Sequence, residues 1–250
     1  MYSDEDLLTL YSDAEFYDAE FANRNFELDF YHSKCKDYHR ILEVACGTGR
    51  LTIPLAKQGH VIEGKDVSPA MIAKAQSNAV AQNVNVSFSV EDARHTQGHY
   101  DLIFMATNAF QHLIDYRDAL QALRSLRASL KNSGRLIIDV QIPDCKRLSR
   151  PANESRPYKT FQYQGLPVQA YLESYYEPWT QLYCFSIRYF RDGSLYKQKE
   201  VAMRMYFPQE IQALFYAAGL SVDSVWGDYH ENELSSSSDK QIYVLKSAQD

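Results

Sequence analysis

From residue 40 to residue 140 the sequence alternates short apolar runs with amphipathic stretches, and this alternation constrains the fold more than any other feature. "RILEV" (40–44), "HVIEGKD" (60–66), "VNVSFSV" (84–90), "YDLIFMA" (100–106) and "RLIIDV" (135–140) read as strands. Between them, "GRLTIPLAKQG" (49–59) places Leu51, Leu55 and Ala56 on one helical face and ends at Gly59. Ser68 caps a second helix with Pro69 at its first position, where a missing N–H does no harm. Asp115 can cap a third, in which Ala119, Leu120, Leu123, Leu126 and Leu130 form one stripe. Strands separated by helices must run parallel, and right-handed crossovers then cover both faces of the sheet. The fold class is therefore α/β.

Two segments depart from this rhythm. Residues 3–34 mix apolar and acidic residues at helical spacing, which predicts one or two helices ahead of the core. After Pro143, residues 158–177, 181–191 and 195–207 read as three antiparallel strands. Tyr183, Phe185, Ile187 and Tyr189 alternate with Leu182, Cys184, Ser186 and Arg188, and Asp192-Gly193 supplies a hairpin turn. Nine of the 19 tyrosines fall between residues 158 and 206, which suits half-buried strands and equally an amphipathic cavity wall. A helix (208–219), a strand ("LSVDSVW"), a serine-rich loop (235–238) and a last strand ("QIYVLK", 241–246) close the chain.

Net charge excludes some partners. At −6, the charge argues against the basic surface that nucleic-acid backbones require, a local basic patch staying open, and no nucleic-acid partner is expected. The acidic N-terminus is neither a signal nor a transit peptide, and no apolar run is long enough to span a bilayer. Cys35, Cys46, Cys145 and Cys184 are scattered, with no pair at metal-ligand spacing; reduced thiols, no metal and a cytoplasmic location are the expectation.

The loop "EVACGTG" after the first strand brings a ligand close to the backbone. A phosphate loop needs Lys-Ser or Lys-Thr after its last glycine, whereas Gly49 is followed by Arg50-Leu51-Thr52. A nicotinamide fingerprint needs a third glycine where Thr52 stands, which weakens that reading and leaves it open. S-adenosylmethionine, which has no phosphate, needs only the close approach. Asp66, 17 residues after Gly49 at the end of the second strand, can accept from both hydroxyls of a ribose, or can serve as a helix-capping acid. Asp92 follows the third strand, where an acid can reach an adenine amino group.

These stretches, "ILEVACGTGRLTIPLAKQGHVIEGKDVSPAMIAKAQ", "VEDAR" and "YDLIFMATNAFQHL", resemble the class I S-adenosylmethionine-dependent methyltransferases over roughly residues 15–140 and the closing helix and strands. The resemblance implies a Rossmann-like seven-stranded mixed sheet, its final strand antiparallel, with an N-terminal helical lid and a small antiparallel β insertion. It divides the chain into a cofactor-binding unit (1–149 and 207–250, with 1–36 as the lid) and a cap over the acceptor (150–206). It implies that Glu43, Ala45, Gly47 and Gly49 line the methionine and ribose side, and that Asp66 holds the ribose. It implies that Met71 packs near the cofactor, Val67 flanks the adenine, Asp92 and Ala93 meet the ring, and Thr107 and Asn108 sit near the sulfonium. "YDAEFANR" (17–24) resembles a covering helix, which brings in Tyr17 and Arg24.

Methyl transfer is an in-line displacement that needs alignment at roughly 3–3.5 Å, a dry site, and a base only where the acceptor has a proton to lose. No Pro-Pro pair follows the fourth strand, as a base-amino methylase would carry there. The expected acceptor is a small molecule methylated at nitrogen or oxygen. His112 is the candidate base, or else a histidine that caps or packs locally; some sugar N-methyltransferases of similar build have a histidine in the matching loop. Tyr11 is a lid residue that orients the acceptor, or an ordinary amphipathic-helix tyrosine. Tyr171, Tyr175, Tyr183 and Arg188 are expected on the cap wall, and the cap is alternatively a homodimer interface on an otherwise monomeric protein. Competing functions are an NAD-dependent oxidoreductase, a non-catalytic S-adenosylmethionine-binding protein, and a protein or tRNA methyltransferase.

Overall fold

The computed structural model describes residues 4–152 and 154–248; residue 3, where the N-terminal helical region was expected to begin, lies outside them. Three helices come first: α1 (Asp4–Leu10), α2 (Ala14–Phe21) and α3 (Leu28–Cys35). Asp13 starts α2 by accepting from the Phe16 N–H, one of the donors a helix leaves unpaired at its first turn. The alternating region follows as β1 (Ile41–Val44), α4 (Thr52–Lys57), β2 (Ile62–Asp66), α5 (Pro69–Ala81), β3 (Ser87–Val90), β4 (Tyr100–Met105), α6 (Tyr116–Ala128) and β5 (Leu130–Gln141). Ser68 and Asp115 cap α5 and α6 through the N–H groups of Met71 and Arg117, as the sequence predicts. A short α7 (Cys145–Leu148) leads to β6 (Arg156–Tyr163), β7 (Leu166–Glu177), β8 (Leu182–Arg191) and β9 (Ser194–Arg204). The chain closes with α8 (Pro208–Ala217), β10 (Leu220–Trp226) and β11 (Lys240–Ser247).

Seven strands form one sheet in the order β10-β11-β5-β4-β1-β2-β3. Strands β1 to β5 pair in parallel, and β11 runs antiparallel to both its neighbours. Alternate side chains of the central strands feed two cores. Leu42, Ile103 and Ile138 pack on one face with Leu123 and Leu126 of α6 and Phe215 of α8. Ile41, Phe104 and Ile137 pack on the other with Phe30 and Tyr31 of α3 and Leu55 of α4. Burial of both faces is why these strands read as near-continuous apolar runs. Among the described residues no helix is long and apolar enough to cross a membrane.

The second sheet corrects one expectation. It has four strands, β6-β7-β8-β9, all antiparallel, where three were expected. The run 158–177 is broken at Gln164-Gly165, whose φ values of 54° and 77° match those of Asp192-Gly193, 50° and 76°. Both pairs are two-residue hairpin turns that need positive φ twice; glutamine is not a customary residue there, so Gly165 was the one available signal. This sheet packs on α2, whose Phe16 is fully buried against Val168, Ala170, Ile187 and Tyr189. Lid and cap thereby share one apolar cluster.

Candidate active site

The carboxyl ends of the parallel strands, the lid and the inner face of the cap enclose one cavity of about 1240 Å³. That volume exceeds the roughly 300–1,000 Å³ typical of a single ligand site.

Its floor is the loop after β1. Ala45, Gly47 and Gly49 all take positive φ (57°, 56° and 81°), which turns the backbone sharply under the cavity. The Gly47 N–H donates to Asp66 Oδ2 at 2.8 Å and the Ser68 N–H to Oδ1 at 2.8 Å. Asp66 is buried, and burial raises its pKa against the pull of these two backbone donors. Each carboxylate oxygen can accept more than one hydrogen bond, so Asp66 keeps capacity for a ligand hydroxyl. Ala45, Gly47, Asp66, Val67 and Met71 line the cavity together.

Glu43 and Gly49, expected on the same wall, do not line it. Glu43 points into the protein and accepts a short hydrogen bond from the Thr52 hydroxyl; burial pushes its carboxyl up to about 8. Gly49 supports packing: a Cβ there would meet the side chains of Ile53 and Phe88 at 2.9 Å. Both belong to the strand–helix joint beneath the loop.

Asp92 and Ala93 line the cavity at the β3 end. The Asp92 carboxylate is already held by the Arg94 guanidinium, with Nη2 to Oδ2 at 2.6 Å, and by the Arg94 N–H at 2.8 Å. Burial raises its pKa, but Arg94 and these hydrogen bonds leave it below the usual range.

Past β4, Thr107 and Asn108 adopt two consecutive left-handed conformations, φ 56° and 68°, an unfavourable arrangement for non-glycine residues. Asp139 on β5 holds them there. Its oxygens accept from the N–H groups of Thr107 (2.8 Å) and Asn108 (3.2 Å), from the hydroxyls of Tyr31 and Tyr229 (2.8 Å each), and from Lys240 Nζ (2.6 Å). Burial raises the Asp139 pKa, yet Lys240 and these donors keep it below the usual range. Sequence reasoning passed over Asp139; the signal was an acid inside the apolar strand "RLIIDV".

His112 and Tyr11 meet at the cavity. The Tyr11 hydroxyl lies 2.8 Å from His112 Nε2, with the rings edge-on. His112 Nδ1 is buried and has no hydrogen-bond partner, and burial drives the imidazole down to about 4. The ring is therefore neutral at physiological pH, as expected, but far less basic than a free histidine. Tyr17 lines the cavity beside Gly47, its hydroxyl 3.9 Å from where a Gly47 Cβ would stand. Arg24 also lines it, with Nε 3.3 Å from buried Glu27.

The inner cap face presents Tyr183, Phe185, Ile187 and Tyr189 of β8 with Val201 and Met203 of β9. Of the four expected wall residues, only Tyr183 faces the cavity. Tyr171 packs on Phe190, Tyr175 is half exposed, and Arg188 pairs with Glu173. Alternation decides this: Tyr171, Tyr175 and Arg188 stand on the outward side of the pleat. Lid and cap are also joined by Glu20, a buried carboxylate that sequence reasoning missed. It accepts from the Tyr189 hydroxyl at 2.9 Å and pairs with Lys199 (2.9 Å) and Lys159 (3.2 Å).

The loop end of the cavity suits a nucleoside with a cationic arm better than a pyrophosphate. Its buried charged group is the Asp66 carboxylate, and the nearby Arg50 is committed to Glu27 at 2.6 Å. A dianionic group there would face the like charge of Asp66.

Comparison with known proteins agrees. Residues 41–134 match the family model described as a methyltransferase domain. The chain is 33% identical over 118 residues to a putative methyltransferase of Geobacillus sp. (strain WCH70), covering 44% of this chain and 48% of that protein. It is 29% identical over 218 residues to a glycine/sarcosine N-methyltransferase of Parasynechococcus marenigrum (strain WH8102), covering 84% of this chain and 74% of that protein. The chain thus spans about half the length of the first relative and three quarters of the second. A crystal structure of an S-adenosylmethionine-dependent methyltransferase from Clostridium acetobutylicum ATCC 824 superposes with a TM-score of 0.78 at 23% identity, covering 94% of this chain and 98% of that one. That likeness is one of fold.

Proposed function

Residues 41–134 match a methyltransferase domain on a fold shared with an S-adenosylmethionine-dependent methyltransferase, and from that premise we propose that the chain is a class I S-adenosylmethionine-dependent methyltransferase that methylates a nitrogen of a small-molecule amine. The observation that carries this reading is one continuous cavity that joins the Gly47–Asp66 loop to the Tyr11–His112 pair and the cap wall.

S-adenosylmethionine supplies the methyl group and a sulfide leaving group that needs no proton. Asp66, Gly47 and Ala45 are the residues that would hold its ribose and amino-acid arm, with Val67, Met71 and Ala93 against the adenine. Asp92 takes part through its backbone and the Arg94 pair rather than as a free carboxylate. Thr107 and Asn108, pinned by Asp139, frame the reacting end. Tyr17 and Arg24 close over it from the lid. The aromatic side chains of Tyr11 and Tyr17, which also line the cavity and meet edge-on, suit a cation at that end.

The state of His112 supports nitrogen over oxygen as the acceptor atom. An alcohol needs a base strong enough to take its proton as the bond forms. An imidazole at about 4 is too weak. A neutral amine attacks with the lone pair it already has, so what it needs is orientation. The Tyr11 hydroxyl and His112 together supply a fixed hydrogen-bonding edge for that. The relative from Parasynechococcus marenigrum, an N-methyltransferase by name, supports the same choice.

Calorimetry with S-adenosylhomocysteine, followed by product detection across paired amine and alcohol acceptors, tests the reading. Binding of the nucleoside with turnover of amines is expected; turnover of alcohols alone would replace nitrogen by oxygen, and absence of nucleoside binding would remove the proposal.

A further inference from the structure

The cavity wall where the chain passes from β5 into the cap carries a positive cluster that the transfer step does not use. Several cations line the cavity, and most have a carboxylate partner: Arg94 with Asp92 and Asp118, Arg117 with Asp115, Lys199 with Glu20, Arg204 with Glu210, and Arg24 with Glu27. Arg147, Arg150 and Arg156 also line it, and among the described residues none of the three forms an ion pair with a carboxylate. In a chain of net charge −6, three unmatched guanidiniums on one wall call for a reason.

Their geometry supplies one. Arg156 Nη2 donates to the Ser174 hydroxyl at 3.1 Å and to the Tyr183 hydroxyl at 3.3 Å. Its Nη1 is buried without a hydrogen-bond partner. Arg147 Nη2 donates to the Ile142 carbonyl at 3.0 Å, its Nε is buried without a partner, and its guanidinium sits 5.6 Å from the centre of the Tyr183 ring. Tyr183 therefore has one guanidinium at its hydroxyl and another against its ring, both oriented by neutral acceptors. Two guanidiniums held this way, each with a buried N–H left over, form an incomplete arrangement that an anion completes.

The position fits a substrate rather than the cofactor. Arg147 follows β5, and the sheet order puts β1 and β4 between β5 and β2. Three strand spacings of about 4.8 Å separate the β5 tip from the Asp66 tip by roughly 14 Å. His112, which Tyr11 of the lid meets, follows β4, between the two ends.

Resting on the reading of the cavity as a methyltransferase site, we propose that the acceptor carries an anionic group, a carboxylate or a phosphate, which docks on Arg147 and Arg156 beside Tyr183. Arg150, more exposed, adds to the positive field of the same wall. The amine end then lies at the Tyr11–His112 pair, so the substrate class is acidic amines.

The test uses the full chain saturated with S-adenosylhomocysteine and titrated with two matched pairs: glycine against glycinamide, and O-phosphoethanolamine against ethanolamine. At least one anionic amine should bind about tenfold tighter or more than its neutral partner, the scale of one charge-assisted hydrogen bond. The first pair reports a carboxylate site and the second a phosphate site. Arg147→Gln and Arg156→Gln should each reduce that preference by about tenfold while leaving S-adenosylhomocysteine affinity within about twofold. Equal affinity within both pairs on the unmodified protein overturns the inference, as does a preference that survives both substitutions. Failure of S-adenosylhomocysteine itself to bind is a separate result, which overturns the cofactor reading on which this one rests.

Discussion

The Tyr11 hydroxyl stands 2.8 Å from His112 Nε2, across 101 positions of sequence. The lid and the loop after β4 are thus linked by a hydrogen bond inside the cavity. Tyr11→Phe and His112→Asn should each lower kcat by about 10- to 100-fold, the range expected when a reacting group is misplaced by about an ångström. The double variant should be little worse than either single one, because the two side chains act as a unit. Steady-state kinetics on the three variants, with S-adenosylhomocysteine affinity as the control, checks this.

If the acceptor amine reacts in its neutral form, its own ionisation shapes the pH profile. An alkylammonium near about 10.4 would have to pass its proton to His112 at about 4, roughly six pKa units uphill, so the proton leaves to solvent instead. kcat/KM should rise about tenfold per pH unit from neutrality toward the amine pKa, with no limb near the usual histidine value. A limb at about 6.5 that disappears in His112→Asn would reinstate histidine as the base.

Burial of neutral His112 also links stability to pH. Its folded pKa, about 4, lies below the unfolded value of 6.5, so the unfolded chain binds more protons between them. The contribution is fully present above the unfolded value and is lost as pH falls through that window toward 4. His112→Asn should flatten the fall in thermal stability between pH 6.5 and 4, as read by melting curves across that range.

Asp66 offers the cavity the carboxylate of the Gly47 loop. Asp66→Asn removes its charge while keeping one acceptor oxygen, and S-adenosylhomocysteine affinity should fall about tenfold to a hundredfold, the scale of a charged hydrogen bond. Isothermal calorimetry measures it. Unchanged affinity would show that the ribose lies elsewhere.

Asp139 pins two strained residues and neutralises Lys240. Asp139→Asn should cost about 3 kcal/mol or more in denaturant unfolding, since it leaves a buried ammonium without its counter-charge. Lys240→Met in the same background should recover part of that loss. Activity should stay low in the double variant, because Thr107 and Asn108 still lose a charged acceptor.

Much of this molecule is readable along the chain. The apolar periodicity, Ser68-Pro69, Asp115 and Asp192-Gly193 act within a few residues of themselves, so local rules recover β1 to β5, the starts of α5 and α6 and one cap hairpin, whereas the one or two helices expected ahead of the core are three. Gln164-Gly165 was missed because its turn conformation comes from one glycine in an otherwise strand-like run. Ala45, Gly47, Asp66 and Asp92 were legible as cavity residues because they stand at or just past strand ends, and strand ends of a parallel sheet share one edge.

What the sequence determined by itself is the sheet, its crossovers and the edge on which a ligand must sit, since these follow from side-chain period and backbone sterics. Tertiary structure alone decided which groups on that edge are committed. Glu43 turns inward to Thr52, Asp92 is taken by Arg94, Asp139 gathers partners from four separate segments, and Arg147 and Arg156 converge on Tyr183. Hydrogen bonds and desolvation depend on distances between residues remote in sequence, and no period along the chain encodes those distances.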